Sequence, residues 1–307
     1  MGSINCAYVG ESAVTAIYLG SEMIYSASTG GNDYFRITNR TATAGTITIA
    51  PTTGSPAPIM LKTTSDGTNW TSNEISASTT IVLPADGYVM FDGTDSPNPM
   101  STGTGSCWGF KCDVNHDVSG KISSLIPKTS NNYIFSKLFR SDTKLIDASG
   151  LDLDIENLND YIYHWMFYGC SGLIAAPALP STHLANKCYQ GMFQNCSSLT
   201  TAPALPATTL KDSCYYGMFR STRITTAPIL PATTFVSACY REMFRDCTSL
   251  TSITCLAMTT SGSNPITDWV RGISTTGTLY VADGNSVGWT EGNSGYPSTW
   301  TLQTYTP

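Results

Sequence analysis

A unit of about 26 residues is repeated through the C-terminal half of this chain of 307 residues. Four dipeptide markers keep that period: Met-Phe begins at Met166, Cys-Tyr at Cys188, Ala-Pro at Ala176 and Leu-Pro at Leu179. Each marker recurs in steps of 25 or 26 residues. A period between about 20 and 30 residues indicates a solenoid, in which each coil covers the apolar face of the next. Because solenoids mostly present extended binding surfaces, the repeat favours binding over catalysis.

Each unit joins a short extended run to an apolar segment. Residues 199–205 predict a strand, and successive runs should stack into a parallel sheet of the leucine-rich-repeat type. Residues 208–219 predict a short helix, because Leu210, Cys214 and Met218 recur at helical spacing. The Met-Phe pairs are expected to pack behind the sheet, in an interior shared by all coils.

Composition and period divide the chain into four regions. We expect an N-terminal β arm and linker over 1–32, a small β-sandwich over 33–120, the solenoid over 121–260 and a C-terminal cap over 261–307. The predicted fold class is therefore α+β and mostly β. Five runs of β-branched and aromatic residues, separated by turn clusters, support the sandwich. Trp70 is expected in its core.

The first 25 residues predict short strands that cannot bury a core of their own. They should therefore dock on something else, such as the next domain, a symmetry mate or a larger assembly. The residues expected to anchor them are Tyr8, Val9, Val14, Ile17, Tyr18, Leu19, Ile24 and Tyr25.

Charge and hydropathy exclude several classes of function. Only 12% of the residues are charged, and a net charge of -6 without a basic run argues against nucleic-acid binding. The sequence has no run of 18 apolar residues, so no membrane insertion is expected. The N-terminus lacks the basic and apolar regions of a signal peptide, so either a leader has been removed or the protein never used the secretory route. The second alternative fits a bacteriophage virion protein made in the host cytoplasm.

Six of the ten cysteines follow the repeat, and stacking would place them in ladders. Buried free thiols are the favoured interpretation, because cysteine packs as a small apolar side chain. Disulfides within a ladder and metal binding are the alternatives. Cys107 and Cys112 flank a short apolar run and are interpreted as buried strand residues, with a local disulfide as the alternative.

No catalytic motif is visible. His116, His164 and His183 lie outside any nucleophile-elbow sequence. Residues 113–120 match a calcium loop only in part and are interpreted as a turn that enters the solenoid. The acidic residues around 147–156 are interpreted as a solvated loop, although paired carboxylates are also the tools of glycosidases. We therefore expect no enzymatic activity, no cofactor and no bound metal.

The outward side of the predicted strands offers the sequence's candidate binding surface. Because side chains alternate along a strand, Leu199, Pro203 and Leu205 should point inward. Their neighbours then form a weakly polar stripe, which either binds an extended partner or is merely tolerated surface. The stripe consists of Thr200, Ala202, Ala204, Thr225, Ala227 and Ile229.

The repeated phrase CYxxMFxxCxSLTxAPxLPATT, which begins at Cys188 and recurs in degenerate form from Cys214, resembles BspA-type leucine-rich repeat proteins of gut Bacteroidetes and their phages. The tail from Gly288 to Trp300 resembles the C-terminal caps of that group. The resemblance implies adhesion or protein binding without enzymatic activity. The first 25 residues are similar to short N-terminal modules of phage tail, fibre and head proteins.

These observations lead to three hypotheses. The first is a non-enzymatic virion protein on the particle surface, whose arm attaches to other virion proteins and whose repeats bind a host surface protein or glycan. A homo-oligomer such as a trimer, the state that fibres often adopt, is compatible with it. The second is a secreted bacterial adhesin at the cell surface. The third is a glycan hydrolase in the sandwich or the cap.

Overall fold

The computed structural model describes residues 33–101, 105–127 and 135–306, together with the backbone of three strands nearer the N-terminus. Those strands are β1 (Ile4–Asn5), β2 (Ala16–Leu19) and β3 (Glu22–Ser26), and they pair antiparallel in the order β1-β2-β3. Among the expected anchors, Ile17, Tyr18 and Leu19 belong to β2, and Ile24 and Tyr25 belong to β3. Tyr8, Val9 and Val14 lie outside the described residues.

The next part of the chain is almost entirely extended. Its elements are β4 (Phe35–Asn39), β5 (Gly45–Thr53), β6 (Ile59–Thr64), β7 (Thr71–Ile75), β8 (Thr79–Leu83), β9 (Tyr88–Asp92), β10 (Cys107–Cys112), β11 (His116–Lys121) and the 3₁₀ helix η1 (Ile122–Leu125). The five runs marked in the sequence correspond to β4, β5, β6, β8 and β9. The segment 113–120, interpreted as a turn, contains all but the last residue of β11.

Two sheets hold these strands, and one of them continues into the repeats. β10, β5 and β8 form an antiparallel sheet. The larger sheet has the order β12-β11-β4-β9-β6-β7, where β12 (Leu145–Asp152) is the first strand of the repeat region. β11 pairs antiparallel with β4 and parallel with β12. The repeats are therefore joined to the preceding strands by backbone hydrogen bonds.

Aromatic rings fill the space between the two sheets and the first repeat. Phe35 on β4 and Phe91 on β9 lie 5.3 and 5.1 Å from the ring centroid of Phe110 on β10. The ring of Phe35 also lies 5.8 Å from that of Phe139, so the interior continues into the repeats. The prediction that Trp70 is a core residue was wrong, because this ring is only half-buried and packs on Tyr34.

The segment predicted as a helix in each repeat is a run of consecutive β-turns. Tyr189, Gly191 and Phe193 donate to carbonyl groups of the next coil at 2.8–3.0 Å, whereas Gln190 and Met192 donate three residues back at 3.2 Å. An α-helix would satisfy all these amides within one segment. Here alternate amides bind the neighbouring coil, and the part of the chain that the structure describes contains no α-helix. The predicted short helices were therefore wrong.

A left-handed backbone conformation at every fourth residue produces these turns. Lys187, Gly191 and Asn195 have φ angles between 56° and 64°, a region that only glycine and, less readily, asparagine or aspartate adopt at low cost. At other residue types the left-handed conformation costs free energy, and the hydrogen bonds between coils offset that cost. Further series are Tyr161, Trp165 and Gly169; Ser213, Gly217 and Ser221; Ala238, Glu242 and Asp246; and Asn264, Asp268 and Gly272.

Two columns of aromatic rings run through the interior of the repeats. Phe167, Phe193 and Phe219 lie with centroids 5.6 and 5.8 Å apart and interplanar angles of 5° and 8°. Tyr189 and Tyr215 lie 5.8 Å apart at 2° in the second column. Such parallel, displaced rings are a favourable aromatic geometry. Since the methionine of each Met-Phe pair is fully buried beside its phenylalanine, the predicted shared interior is confirmed.

The cysteines of the repeats form buried ladders of free thiols, as expected. The thiols of Cys170, Cys196 and Cys247 donate to the carbonyl oxygen of the phenylalanine in the preceding coil at 2.9–3.1 Å. Burial raises the pKa of Cys247 to about 11 and that of Cys188 to about 12. These thiols therefore stay protonated and unreactive. All nine cysteines of the described residues are buried, and none of them is in a disulfide.

The predicted parallel sheet is present only in part. Where the extended runs contain proline, as at Pro177 and Pro228, neighbouring described coils are joined by isolated bridges, such as Asp147 with Ala175 and Thr226 with Ser252. Proline removes a donor from the ladder, so a continuous strand cannot form there. Further strands are β13 (Thr234–Phe235), β14 (Ser252–Cys255), β15 (Thr259–Thr260), β16 (Thr278–Val281) and β17 (Thr301–Thr304). The proline-free strands β14, β16 and β17 form a parallel sheet, and β13 pairs parallel with β15.

Tryptophans end the aromatic columns near the C-terminus. Coil stacking continues past residue 260, since the amide of Phe244 donates to the carbonyl of Trp269 at 2.9 Å. The Trp269 ring lies 6.0 Å from Phe244 and 5.6 Å from Trp289. Its indole N–H donates to the carbonyl of Gly295 at 2.7 Å. The end of the apolar interior is thereby covered.

Within the described residues, no helix has the length and apolar character needed to cross a bilayer.

Replacement of one ring in the middle of a column tests the stacked interior. Phe193→Ala should lower the free energy of unfolding by about 3–5 kcal/mol, because a fully buried ring leaves a cavity between two others. Thr200→Ala, at an exposed position in the same coil, should change it by less than about 0.5 kcal/mol. Denaturant unfolding followed by circular dichroism measures both values, and equal losses would contradict the stacked interior.

Candidate functional site

In each run of consecutive β-turns, which we call a turn run, the direction of the side chains repeats every four residues. In one coil, Cys188 and Tyr189, and then Met192 and Phe193, enter the core, whereas the polar residues between and after these pairs lie at the surface. Because coils stack in register, each surface position becomes a column that crosses all the coils. We call the surface made by these columns the turn face.

Three columns make up the turn face, with neighbouring members one coil apart. The first contains Ser136, His164, Gln190, Tyr216, Arg241 and Thr267; the second contains Lys137, Trp165, Gly191, Gly217, Glu242 and Asp268; the third contains Arg140, Tyr168, Gln194, Arg220, Arg245 and Arg271. Ser136, Lys137, His164 and Glu242 are buried, and aromatic, amide and arginine side chains dominate the remaining positions. Aromatic residues and arginine are the side chains enriched at binding interfaces.

A shallow pocket of about 160 Å³ lies in the middle of the turn face. It forms because Gly191 and Gly217 leave the second column without side chains in two successive coils. The Trp165 ring lies over Gly191, where an added Cβ would come within 2.3 Å of its Cδ1 atom. The pocket is lined by Trp165, Gln190, Gln194, Tyr216, Gly217, Arg220 and Glu242.

The charged wall of this pocket is fixed by ion pairs. Glu242 is almost fully buried and accepts from Arg220 at 2.8 Å, while Arg245 lies 3.2 Å from the same carboxylate oxygen. The Tyr216 hydroxyl donates to the other oxygen at 3.4 Å. These contacts fix the position of the Glu242 carboxylate, which in turn holds the guanidinium group of Arg220 at the edge of the pocket. The wall is therefore preorganised, which lowers the entropic cost of binding.

The aromatic wall is held in a similar way. Arg140 lies 5.4 Å above the Trp165 ring and 5.3 Å above Tyr168, within cation–π range. His164 stacks on Trp165 at 4.4 Å. Burial, and then the positive charge of Lys137 and other cations nearby, lowers the pKa of His164 to about 3. The imidazole is therefore neutral at physiological pH and supports the indole as a flat ring.

Such a pocket can hold a small ring that has both an apolar and a polar side. The indole of Trp165 offers a flat apolar surface, while Gln190 and Gln194 offer amide donors and acceptors. Arg220 and Glu242 add a charged donor and a charged acceptor. A few polar groups placed around an apolar wall are what fixes the orientation of a small ligand.

The stripe predicted from the sequence is only partly available at the surface. Thr200, Ala204 and Thr225 are exposed, and Ile229 is 50% exposed. Ala227, in contrast, is buried. Ala202 is half-buried and packs against the core. These two alanines therefore do not face outward, because bridges rather than full strands join the coils, and the strict alternation of a strand does not apply.

A larger surface pocket of about 500 Å³ lies beside the acidic segment of the first repeat. Asp154, Glu156 and His183 are among its lining residues. Asp154 accepts from the backbone N–H of Ser123 at 3.1 Å and from the Ser123 hydroxyl. This carboxylate therefore holds η1 against the repeat.

Sequence reasoning missed a buried cluster made by Cys112, His116 and Asp142. Cys112 ends β10, His116 begins β11, and Asp142 lies in the first turn run. Their thiol, imidazole and carboxylate ligand atoms all lie within 4.8 Å of one another. Burial lowers the pKa of His116 and raises that of Asp142. The only signal in the sequence was the spacing of four between Cys112 and His116, since Asp142 is 26 residues further on.

Comparisons with protein-family models, with curated proteins and with solved structures return no match. The resemblance of the repeated phrase to BspA-type proteins therefore stays a prediction. The functional interpretation rests on the geometry of the chain itself.

Two glycine variants test the position of the Trp165 ring. Both Gly191 and Gly217 have a φ of 60°, so alanine at either position should cost about 1–2 kcal/mol of stability. Only at Gly191 would the new Cβ meet the indole; at Gly217 it meets Gln194 Oε1 at 3.7 Å. We expect Gly191→Ala to shift the indole N–H resonance of Trp165 strongly and Gly217→Ala to leave it nearly unchanged. Similar small shifts in both variants would refute this placement.

Proposed function

We propose that this chain is a non-enzymatic adhesion protein of a phage virion, and that its solenoid binds a host surface glycan through the turn face. In this proposal, the strands before residue 33 form the arm that attaches to other virion proteins. The sheets of residues 33–121 form a small β-sandwich that carries the solenoid away from the particle. The protein would then act at the virion surface, alone or as a trimer.

One observation carries the choice of ligand, namely the pocket between Trp165 and Glu242. A sugar ring has an apolar face that can lie on an indole and a rim of hydroxyl groups that need donors and acceptors. The pocket supplies the indole together with Gln190, Gln194 and Arg220 at its edge. Its volume of about 160 Å³ suits one ring rather than the wide contact area of a protein partner.

The arrangement of the columns supports recognition of a chain rather than a single sugar. Ring centroids of neighbouring coils are 5.6–5.8 Å apart in the core, so turn-face positions recur at a similar spacing. Arg220, Arg245 and Arg271 continue the third column beyond the pocket. An extended polysaccharide could contact these residues in sequence, and several weak contacts would then add to one useful affinity.

The binding role is tested by mutation of the pocket and of the sequence-predicted stripe in parallel. A microarray of bacterial surface oligosaccharides identifies a ligand, and calorimetry measures its dissociation constant. Trp165→Ala should raise that constant about 30-fold, the effect of losing about 2 kcal/mol at a binding hot spot. Thr225→Ala and Ile229→Ala, on the stripe, should leave it unchanged.

The opposite pattern of affinities would place the binding site on the stripe instead of the turn face. Loss of binding in the stripe variants with full binding in Trp165→Ala would refute the turn-face proposal. Binding of a purified host surface protein, without any oligosaccharide on the array, would replace the glycan with a protein partner.

The virion role is tested on particles. Antibodies raised against the repeats should label purified phage particles in electron microscopy, and a chain without residues 1–32 should be lost from them. The bacterial-adhesin alternative predicts instead that the protein fractionates with the bacterial cell surface and that particles stay unlabelled.

A further inference from the structure

We propose that Cys112, His116 and Asp142 form a binding site for one transition-metal ion, for which Zn²⁺ is the best match. The site lies where the two sheets of the N-terminal region meet the first coil of the solenoid. Cys112 is 8% exposed, His116 1% and Asp142 2%. Thiolate, imidazole and carboxylate are the three ligand types that Zn²⁺ accepts in proteins.

The spacing of the histidine and the carboxylate fits a shared ion better than a direct hydrogen bond. His116 Nε2 lies 3.4 Å from Asp142 Oδ2. A charge-assisted N–H···O bond would bring these atoms to about 2.7–2.9 Å. Two ligands at about 2.0–2.1 Å from a tetrahedral ion lie about 3.3–3.4 Å apart. The thiol of Cys112 lies within 4.8 Å of both atoms, and binding of the same ion would bring it to about 3.5–3.6 Å from them.

The orientation of the imidazole also places either a proton or a metal ion between these two groups. His116 Nδ1 lies 3.1 Å from the carbonyl oxygen of Val114, which can only accept, so Nδ1 carries the proton. In the neutral ring, Nε2 then presents a lone pair to the oxygen of Asp142. Either a second proton or a metal ion must separate them. A histidine ligand that donates its other N–H to a backbone carbonyl is the usual arrangement around zinc.

Two backbone amides hold the carboxylate of Asp142 in place. Asp142 Oδ1 accepts from the backbone N–H of Lys144 at 3.1 Å, and Oδ2 accepts from the backbone N–H of Cys112 at 3.2 Å. These amides fix the orientation of the carboxylate and leave lone pairs on both oxygens for a metal. Because a thiolate and a carboxylate together carry two negative charges, a divalent ion makes the site neutral. A neutral site avoids the cost of burying uncompensated charge.

The repeat itself marks Asp142 as a departure from the pattern. Counting three residues after the phenylalanine of each coil gives Asp142, Cys170, Cys196, Thr222 and Cys247. In the later coils, this side chain donates to the phenylalanine carbonyl of its own or the preceding coil, and Thr222 and Cys247 also contact each other at 3.4 Å. A carboxylate replaces it in the coil that faces Cys112 and His116. The ion would thus join the β10–β11 connection to the first coil.

Because the site is buried, the ion would be taken up as the chain folds. The full-length protein is therefore unfolded and refolded either with Zn²⁺ or with a chelator, desalted, and analysed for metal content and thermal stability. We expect one zinc per chain after refolding with Zn²⁺ and a clearly higher Tm than after refolding with the chelator. Refolding with Co²⁺ should give the near-ultraviolet absorption band of a cobalt–thiolate bond and the visible bands of a tetrahedral ion.

Single substitutions at the cluster separate this site from the other buried thiols. Cys112→Ser, His116→Gln and Asp142→Asn should each abolish stoichiometric zinc, whereas Cys196→Ser, at an equally buried ladder thiol, should retain it. Zinc that persists in the three cluster variants would refute the site. If those variants do not fold, the wild-type protein still decides: no zinc after desalting, no change in Tm and no cobalt–thiolate band would mean that a proton alone lies between His116 and Asp142.

Discussion

The alternate use of backbone amides is the constraint on which the rest of the repeat region depends. In each turn run, one amide closes a turn and the next donates to the following coil, at 2.8–3.0 Å for Tyr189, Gly191 and Phe193. This pattern holds neighbouring coils in register and satisfies backbone groups that would otherwise be buried without partners. It also explains why left-handed residues recur at every fourth position. The aromatic columns follow from it, because register places equivalent rings above one another.

The same register that orders the interior also orders the surface. Inward pairs of residues alternate with turn-face positions, so equivalent turn-face side chains of successive coils lie next to one another. The glycines at 191 and 217 open a pocket, and Trp165, Arg220 and Glu242 border it. A rigid backbone with variable surface columns is well suited to recognition, since binding costs little reorganisation.

Strand pairing and a shared apolar interior join the N-terminal sheets to the solenoid. β11 pairs with β4 on one side and with β12 on the other, and Phe35, Phe110 and Phe139 share one apolar interior. The cluster of Cys112, His116 and Asp142 lies at this joint, where the repeat replaces a ladder cysteine with a carboxylate. An ion there would hold together two regions that are distant in sequence.

The sequence by itself determined the period, the buried Met-Phe and cysteine positions and most strands before residue 100, because these depend on spacing and apolar pattern. It did not determine the backbone between Thr208 and Phe219: spacing of three and four residues is shared by helices and by consecutive turns, and only hydrogen bonds to the next coil distinguish them. It also placed Ala202 and Ala227 outward, because it assumed strand alternation where proline interrupts the strands. Only the tertiary structure brought Gly191 under Trp165 and Asp142 beside His116, since both contacts join residues about 26 positions apart whose proximity depends on coil stacking.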